Sequence, residues 1–156
     1  MRQIVAFFGF CIIAICVSAT GKIKPSYSSF LSGVYSGGNY AICSDHDGNT
    51  YVTYSTLNNK LKTTTGAYES VGHGQLSIYI MKIGDGGRLI WATYFGGTGD
   101  DAIYRIKTDF KGNIYMTGET SSQDFPVSPT AFQKTIYGNK YQSNIFFGKN
   151  GYKWNL

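Results

Sequence analysis

Apolar residues fall in short runs rich in Tyr and Phe along most of this chain, and long stretches of Ala, Leu and Glu are missing, a pattern typical of β-strands rather than helices. The runs end at clusters of Gly, Asn, Asp and Ser, where turns form. The predicted strands cover 27–31, 39–44, 50–54, 76–83, 88–95, 102–108 and 114–117. The run at 76–83 is apolar at nearly every position, which predicts a strand covered on both faces.

Two predicted hairpin turns share the same chemistry. Asp45 opens the turn at 45–49, and Asp109 opens the turn at 109–113. In each turn the Asp carboxylate can cap the backbone, and the Gly before the final Asn can take a positive φ at no steric cost.

The chain repeats itself at an offset of 64 residues, without a gap, over about forty positions. The aligned pairs include Gly33 with Gly97, Tyr40 with Tyr104, Asp45 with Asp109, Gly48-Asn49 with Gly112-Asn113, Tyr51 with Tyr115 and Thr53 with Thr117. Self-similarity at a fixed period is the mark of solenoids and propellers, where each unit buries its apolar face on its neighbours.

The clearest copy of the repeat runs from Trp91 to Gln133. It reads Trp-Ala-Thr-Tyr-Phe-Gly-Gly-Thr-Gly-Asp-Asp at 91–101, Gly-Asn-Ile-Tyr-Met-Thr-Gly-Glu-Thr at 112–120, Asp-Phe-Pro at 124–126 and Ala-Phe-Gln at 131–133. These motifs resemble the SBBP repeat, a bacterial β-propeller repeat, strongly over 88–134, moderately over 27–87 and weakly over 135–156. The resemblance implies an exported, many-bladed protein that is not an enzyme.

The predicted fold is all-β: an incomplete β-propeller of about two four-stranded antiparallel blades after an N-terminal signal peptide. The predicted divisions are a signal peptide at 1–19, a connector at 20–26 and a repeat region at 27–156, with repeat one at about 27–90 and repeat two at about 91–156. The strands at 76–83, 88–95, 102–108 and 114–117 are predicted to form one blade, because a blade has four strands.

The last residues are predicted to hold a strand near 142–147 and a turn at Asn150-Gly151, with Trp154 standing where Trp91 stood in the other copy. Propellers use four to eight blades, and repeat arrays generally need three or more units. From two blades we expect either a truncated product or a fragment that self-assembles to complete the propeller.

The N-terminus has the form of a secretory signal peptide. Arg2 supplies a positive charge, Ile4 to Val17 is a nearly unbroken apolar run, and Ser18-Ala19 provides small residues for cleavage. The run is about fourteen residues, shorter than the roughly twenty that a membrane-spanning helix needs. An uncleaved anchor or a lipoprotein is the alternative, and the expected location is secreted or cell surface.

The formal charge is +5, and four lysines but no acidic residue follow Asp124. These lysines are spread along the chain, whereas a nucleic-acid footprint needs basic residues clustered on one face, so nucleic acid is not an expected partner. Two of the three cysteines lie in the leader, which leaves Cys43 in the mature chain without an internal disulfide. Cys43 is predicted to be a small buried hydrophobe.

One hairpin turn has the one-three-five spacing of oxygen-bearing side chains found in a calcium-binding loop, at Asp45, Asp47 and Asn49. The helix-loop-helix version needs Gly at position six and Glu at position twelve, where this chain has Thr50 and Thr56. The turn interpretation is therefore favoured, and no metal or cofactor is predicted.

The pair Asp100-Asp101 could do acid–base work or bind a cation. Its place in a glycine-rich bend favours a structural role, hydrogen-bonding the bend. His46 and His73 are the only histidines, and both are predicted to be solvated, because no carboxylate–histidine–nucleophile motif surrounds them.

Four aromatic residues lie at repeat-equivalent positions: Trp91, Tyr94, Tyr104 and Tyr115. Core packing between blades is the favoured interpretation, and a sugar-stacking surface is the alternative. Phe125 and Phe132 are predicted to hold their loop against the blade.

No catalytic residue is predicted, and the chain is not expected to be an enzyme. The predicted function is an exported binding or adhesion module that engages an unknown protein or glycan through the loops at 57–74 and 121–138. The alternatives are a truncated fragment without independent activity and part of a propeller-fold hydrolase or lyase.

Overall fold

The structure is a computed structural model that describes residues 3–8, 11–17, 23–35, 37–137 and 143–150, with the backbone alone at 3–8, 11–17, 23–26 and 150. Its described part is all-β, as predicted, and contains no α-helix. The strands are β1 (Gln3–Phe8), β2 (Cys11–Val17), β3 (Ile23–Phe30), β4 (Tyr40–Ser44), β5 (Thr50–Thr56), β6 (Ser77–Ile83), β7 (Leu89–Phe95), β8 (Asp101–Thr108), β9 (Ile114–Thr120) and β10 (Asn144–Asn150).

Strands β4 to β7 form the first blade-like sheet, in which each strand pairs antiparallel with the next in the chain. A 3-10 turn at Asp85–Gly87 joins β6 to β7. Every residue of β5 is buried, and β6 is buried from Ser77 to Met81. The prediction that the strand at 76–83 is covered on both faces is therefore confirmed.

Strands β8, β9 and β10 form the second sheet, in that order. Residues of β9 alternate between buried and exposed up to Gly118, so one face of this sheet is covered and the other is open to solvent among the described residues. Half-buried antiparallel sheets show this alternation because successive side chains point to opposite faces.

The predicted grouping of four strands between 76 and 117 into one blade is wrong. β7 pairs with β6, and β8 opens the second sheet. The bend at 96–100 carries the chain from one sheet to the next, so the boundary between the sheets follows Phe95. The boundary between the sequence repeats, at about 90, instead falls just inside β7.

A third, small antiparallel sheet joins β1, β2 and β3 in the first thirty residues. Strand β3 begins at Ile23, within the predicted connector, and it pairs with β2 rather than with a blade. The predicted signal-peptide cleavage site at Ser18-Ala19 lies outside the described residues, and cleavage stays a prediction. Among the described residues, no helix has the length and apolarity to cross a membrane.

The main core lies between the two blade-like sheets. Tyr51, Ile78 and Ile80 of the first sheet pack there against Ile103 and other residues of the second. The opposite face of the first sheet has a separate cluster, which the partly buried side chains of Leu31, Val34 and Leu61 cover.

The first strands of the two sheets, β4 and β8, run close together. Thr108 Oγ1 donates to the carbonyl oxygen of Ser44 at 2.9 Å, and Ile103 N donates to Ser55 Oγ at 3.3 Å. Strand β10 confirms the strand predicted near 142–147, while the predicted turn at Asn150-Gly151 and Trp154 lie largely outside the described residues.

Candidate functional site

Three connections between strands of the two sheets lie at one end, which we call the loop end. They follow β5, β7 and β9, at 57–76, 96–100 and, within the described residues, 121–137. The tight turns at 45–49, 84–88 and 109–113 lie at the opposite end. Since binding residues are often carried on loops that a rigid scaffold positions, the loop end is the candidate functional site.

Asp101 holds the glycine-rich bend in place. Its side chain is 1% exposed, accepts a hydrogen bond from Gly97 N at 2.7 Å and accepts another from Ser122 Oγ at 2.9 Å. Burial raises the pKa of this carboxyl and outweighs the donors from Thr120, Gly97 and Ser122, which act in the opposite direction.

Asp100 makes different contacts from its neighbour. Its Oδ1 accepts from Leu76 N at 3.1 Å, and Ser121 Oγ accepts from Asp100 N at 2.9 Å. A Cβ at Gly74 would overlap the carbonyl oxygen of Gly99, so glycine permits the two backbones to approach this closely. Asp101 therefore hydrogen-bonds the bend as predicted, whereas Asp100 connects the bend to Leu76 and Ser121 on the neighbouring loops.

Asp124 connects the loop after β9 to the same bend. Its Oδ1 accepts from Thr98 N at 2.9 Å and from Thr98 Oγ1 at 3.0 Å. The hydrogen bond from the Thr98 backbone is the largest cause that lowers the pKa of Asp124. The Asp-Phe-Pro motif therefore begins with a residue that joins two loops.

Buried tyrosines anchor the loop after β5. Tyr94 OH accepts from Leu61 N at 2.7 Å and donates to the carbonyl oxygen of Asn58 at 2.5 Å. Tyr79 OH donates to the carbonyl oxygen of Lys62. No local sequence pattern predicts these contacts, because the tyrosines and the loop are far apart in the chain.

A cleft of about 170 Å³ opens at the loop end, lined by Glu69, His73 and Ser77 among others. His73 Nε2 lies 3.1 Å from Glu69 Oε2, with side-chain exposures of 46% and 37%. The prediction that His73 is simply solvated is thus incomplete, because it has a carboxylate partner. No motif spacing signals this loop contact.

Glu69, His73 and Ser77 are the residue types of a nucleophilic triad, but their geometry differs from one. Ser77 Oγ is buried and makes no hydrogen bond, so the contact between nucleophile and base is missing. A Cβ at Gly72 would crowd Ser77 Oγ at 2.7 Å, which places the hydroxyl beneath the loop backbone. The three side chains therefore do not form a nucleophilic triad in this structure.

The turn at 45–49 is capped as predicted. Asp45 Oδ1 accepts from Asn49 N at 2.9 Å, and its Oδ2 lies 3.1 Å from Lys82 Nζ. Burial acts to raise the pKa of Asp45, but the hydrogen bonds from Asn49 and Lys82 outweigh it, and the pKa is lowered. Asp47 is far more exposed, with 83% of its side chain accessible.

The second turn repeats this arrangement at the surface. The Asp109 carboxylate accepts hydrogen bonds from Asn113 Nδ2 at 2.6 Å and from Tyr115 OH at 3.1 Å. The hydrogen bond from Asn113 is the main reason that the pKa of Asp109 falls to about 2. Gly48 and Gly112 have φ values of 82° and 78°, as the turn chemistry predicts. In the part of the chain that the structure describes, no three His, Cys, Asp or Glu side chains are grouped to hold a metal ion.

The prediction that the repeat-equivalent aromatic residues pack in the core holds for some of them and fails for others. Trp91 and Tyr94 are 6% and 1% exposed, which confirms core packing, but Tyr115 is 40% exposed, so that prediction is wrong for it. Phe125 is buried between Phe95 and Phe146, with ring centroids 5.4 and 4.6 Å away, and holds its loop as predicted.

Three further predictions concern single residues. Phe132 is fully exposed, so it does not hold its loop against the blade as predicted. Cys43 is partly buried against the main core, and burial raises the pKa of its thiol to about 11, as suits a small hydrophobe. His46 is solvated as predicted, with 85% of its side chain exposed.

Two antiparallel sheets, each following the chain strand by strand and packed face to face, define the class of this protein as an incomplete β-propeller. Residues 90–126 match the model of the family SBBP, described as a beta-propeller repeat. The chain therefore carries an SBBP-type repeat, as the resemblance implied, and the match spans β7, the bend, β8, β9 and Asp124. A search of the curated proteins found no match.

Proposed function

We propose that this chain is an exported, non-catalytic binding or adhesion module that engages a protein or glycan at the loop end. The observation that carries the proposal is a set of exposed apolar side chains on the two long loops. They are Leu57, Tyr68, Val71, Val127, Phe132 and Tyr137, with exposed fractions between 43% and 101%. Exposed aromatic side chains are common where proteins recognise partners.

The anchoring of these loops supports the same proposal. Hydrogen bonds from Tyr79 and Tyr94 tie one loop to the first sheet, and Asp124 ties the other to the bend. Loops held in this way lose less conformational entropy when they bind a partner. The cleft at the loop end lies between the loop after β5 and the start of the glycine-rich bend, and it is too small for a typical small-molecule pocket, which favours recognition over a surface.

The non-catalytic part of the proposal rests on how the carboxylates are used. Asp100, Asp101 and Asp124 all accept hydrogen bonds from the backbone of neighbouring segments. A catalytic carboxylate must instead reach a reacting group. Export is supported by the charge, length and apolarity of the first nineteen residues.

Binding is tested with the full chain, expressed with its leader, on arrays of purified glycans and surface proteins. The double variant Phe132→Ala/Tyr137→Ala is expected to reduce binding to any recognised ligand at least tenfold. Phe110→Ala is the matched control, because Phe110 is 82% exposed but lies in the turn at the opposite end. Equal losses in both variants, or undiminished binding by the double variant, would exclude the loop end as the binding surface.

Export is tested separately by fractionating the expressing cells and sequencing the N-terminus of the product. The expected product is found outside the cytoplasm and begins at Thr20. A cytoplasmic product that retains Met1 would refute export while leaving the binding result intact.

A further inference from the structure

One face of the second sheet, which we call the outer face, is open to solvent among the described residues. The exposed side chains of β10 on this face include Ile145, Phe147 and Lys149. Ile145 and Phe147 are 81% and 85% exposed, and Lys149 Nζ lies 5.5 Å from the centroid of the Tyr115 ring in β9. Large apolar side chains that lie close together on a surface mark an interaction site.

The fold gathers basic side chains beside these apolar ones, although they are spread along the sequence. Arg105 and Lys107 are exposed in β8, and Lys107 pairs with Tyr115 of β9. Tyr115 pairs on its other side with Lys149 of β10. Because directly paired residues of antiparallel strands lie on the same face, the outer face presents three basic side chains together.

Two carboxylates lie near the outer face, and both already have partners. A hydrogen bond to Glu119 raises the pKa of the Tyr104 hydroxyl. Asp109, in the turn beyond Tyr115, accepts a hydrogen bond from the Tyr115 hydroxyl at 3.1 Å. Lys111 adds a positive charge in the same turn, so this face and its turn carry four basic side chains against two carboxylates.

The first sheet shows that the basic side chains are particular to the outer face. It has Ala41 where the second sheet has Arg105, and Cys43 where the second sheet has Lys107. Ala41 and Cys43 are partly buried against the main core. A sheet that covered the outer face in the same way would bury Arg105 and Lys107, and burying charges without partners is costly. The outer face therefore suits a partner whose own surface is anionic and wet.

We propose that the outer face binds the surface of an anionic lipid bilayer. Ile145 and Phe147 enter the boundary between headgroups and acyl chains, while Arg105, Lys107 and Lys149 stay at the level of the anionic headgroups. Proteins that lie on membranes combine apolar and basic side chains in this way, and long basic side chains keep their charge in the polar layer. The proposal goes beyond ligand binding at the loop end, because it concerns a different surface and a different partner.

The chemistry of β10 favours a bilayer over an acidic polysaccharide. Ile145 and Phe147 have no hydrogen-bonding side-chain group, whereas a sugar site needs placed polar groups that orient the hydroxyls of the ligand. Tyr115 is the aromatic residue of β9 on this face, but Lys149 Nζ lies over its ring, where a sugar would stack.

The test is flotation of the purified product of the full chain with vesicles of phosphatidylcholine, with and without about 30 mol% phosphatidylglycerol. The wild type is expected to bind the anionic vesicles at least about tenfold more tightly, because each basic side chain near an anionic leaflet adds to the affinity. Binding should weaken between about 0.1 and 1 M salt, because the screening length falls from about 10 to about 3 Å.

Two double variants test which basic side chains are responsible. Arg105→Gln/Lys107→Gln is expected to bind anionic vesicles about tenfold or more weakly than the wild type. Lys60→Gln/Lys62→Gln is the matched control, because it removes the same charge from exposed positions in the loop after β5. Its affinity should change by less than about twofold, because charges beyond a screening length contribute little.

A fluorescent reporter tests whether the outer face itself enters the bilayer. Phe147→Trp should gain emission at shorter wavelength than the wild type when anionic vesicles are added, because the new indole leaves water. Phe30→Trp, at a residue of β3 that is 82% exposed, is the control and should show no such change. A shift in Phe30→Trp without one in Phe147→Trp would assign vesicle binding to the N-terminal segment and overturn the proposal.

Three other results would also overturn the proposal. The first is a wild type that does not bind anionic vesicles. The second is binding that Arg105→Gln/Lys107→Gln retains in full. The third is binding to polygalacturonate but not to vesicles, which would make the outer face a polysaccharide site. Circular dichroism checks that each variant is folded, and Ile145→Trp serves as the reporter if Phe147→Trp is not.

Discussion

Phe146 and Phe147 are adjacent in β10 but point to opposite faces, so replacing each with alanine should have very different effects. Phe146 is 8% exposed and its ring centroid lies 4.6 Å from that of Phe125. Its ring also packs over Gly118 of β9, where a Cβ would lie 2.7 Å from the Phe146 ring edge. Removing such a buried phenylalanine costs about 3–5 kcal/mol of unfolding free energy.

Phe147 is the matched control, because 85% of its surface is exposed in the monomer. Changes at such surface positions usually alter stability by less than about 0.5 kcal/mol. The difference between the two alanine variants should therefore be about 3 kcal/mol or more.

The assay is urea unfolding at a concentration low enough to keep the chain monomeric, followed by circular dichroism. If the free energy of unfolding falls by about 2 kcal/mol for each molar of urea, the urea concentration at the unfolding midpoint should fall by roughly 1.5–2.5 M in Phe146→Ala. The midpoint of Phe147→Ala should stay within about 0.3 M of the wild type. Similar shifts for both variants would refute the assignment of opposite faces in β10.

Two further predictions concern the loop end and the turns. Gly74→Ala should lower the free energy of unfolding by about 1–3 kcal/mol in urea, because its Cβ would overlap the Gly99 carbonyl oxygen. Gly148→Ala is the control and should be nearly neutral, because no atom lies within 4 Å of its added Cβ. Equal effects of the two variants would contradict the close approach at Gly74. Asp109 has a folded-state pKa of about 2 against an ordinary 3.8, so its stabilisation is complete only above pH 3.8 and is lost as the pH falls toward 2. Thermal unfolding of Asp109→Asn should therefore depend less on pH across this acidic range than that of the wild type, and identical pH profiles would show that the carboxylate contributes nothing there.

The features that depend on neighbouring residues were predictable from the sequence. The turn at 109–113 follows from the carboxylate of Asp109 and the positive φ of Gly112, which interact within a few residues. The buried strand at 76–83 follows from its apolar run, because a strand with such a pattern must be covered on both faces. The repeat alone indicates a solenoid or a propeller, and the resemblance of its motifs to the SBBP repeat is what implied the β-propeller class.

The candidate site was less predictable, because its contacts join distant segments. Asp101 could be assigned to the bend from its glycine-rich surroundings, but its partner Ser122 lies twenty-one residues away. The contact between Glu69 and His73 depends on the course of an irregular loop. Phe125 and Phe132 both lie in the loop after β9, yet only Phe125 reaches the rings of Phe95 and Phe146.

The sequence by itself therefore determined the strands, the tight turns and the repeat, because short apolar runs and turn chemistry depend on residues close together in the chain. Only the tertiary structure decided which strands share a sheet, since the pairing of β7 with β6 depends on the bend that turns β8 away. It also decided that Tyr51 is buried while its repeat partner Tyr115 is exposed. The two tyrosines differ because burial depends on what packs over each sheet. The second sheet covers the face that holds Tyr51, and among the described residues nothing comparable covers the face that holds Tyr115.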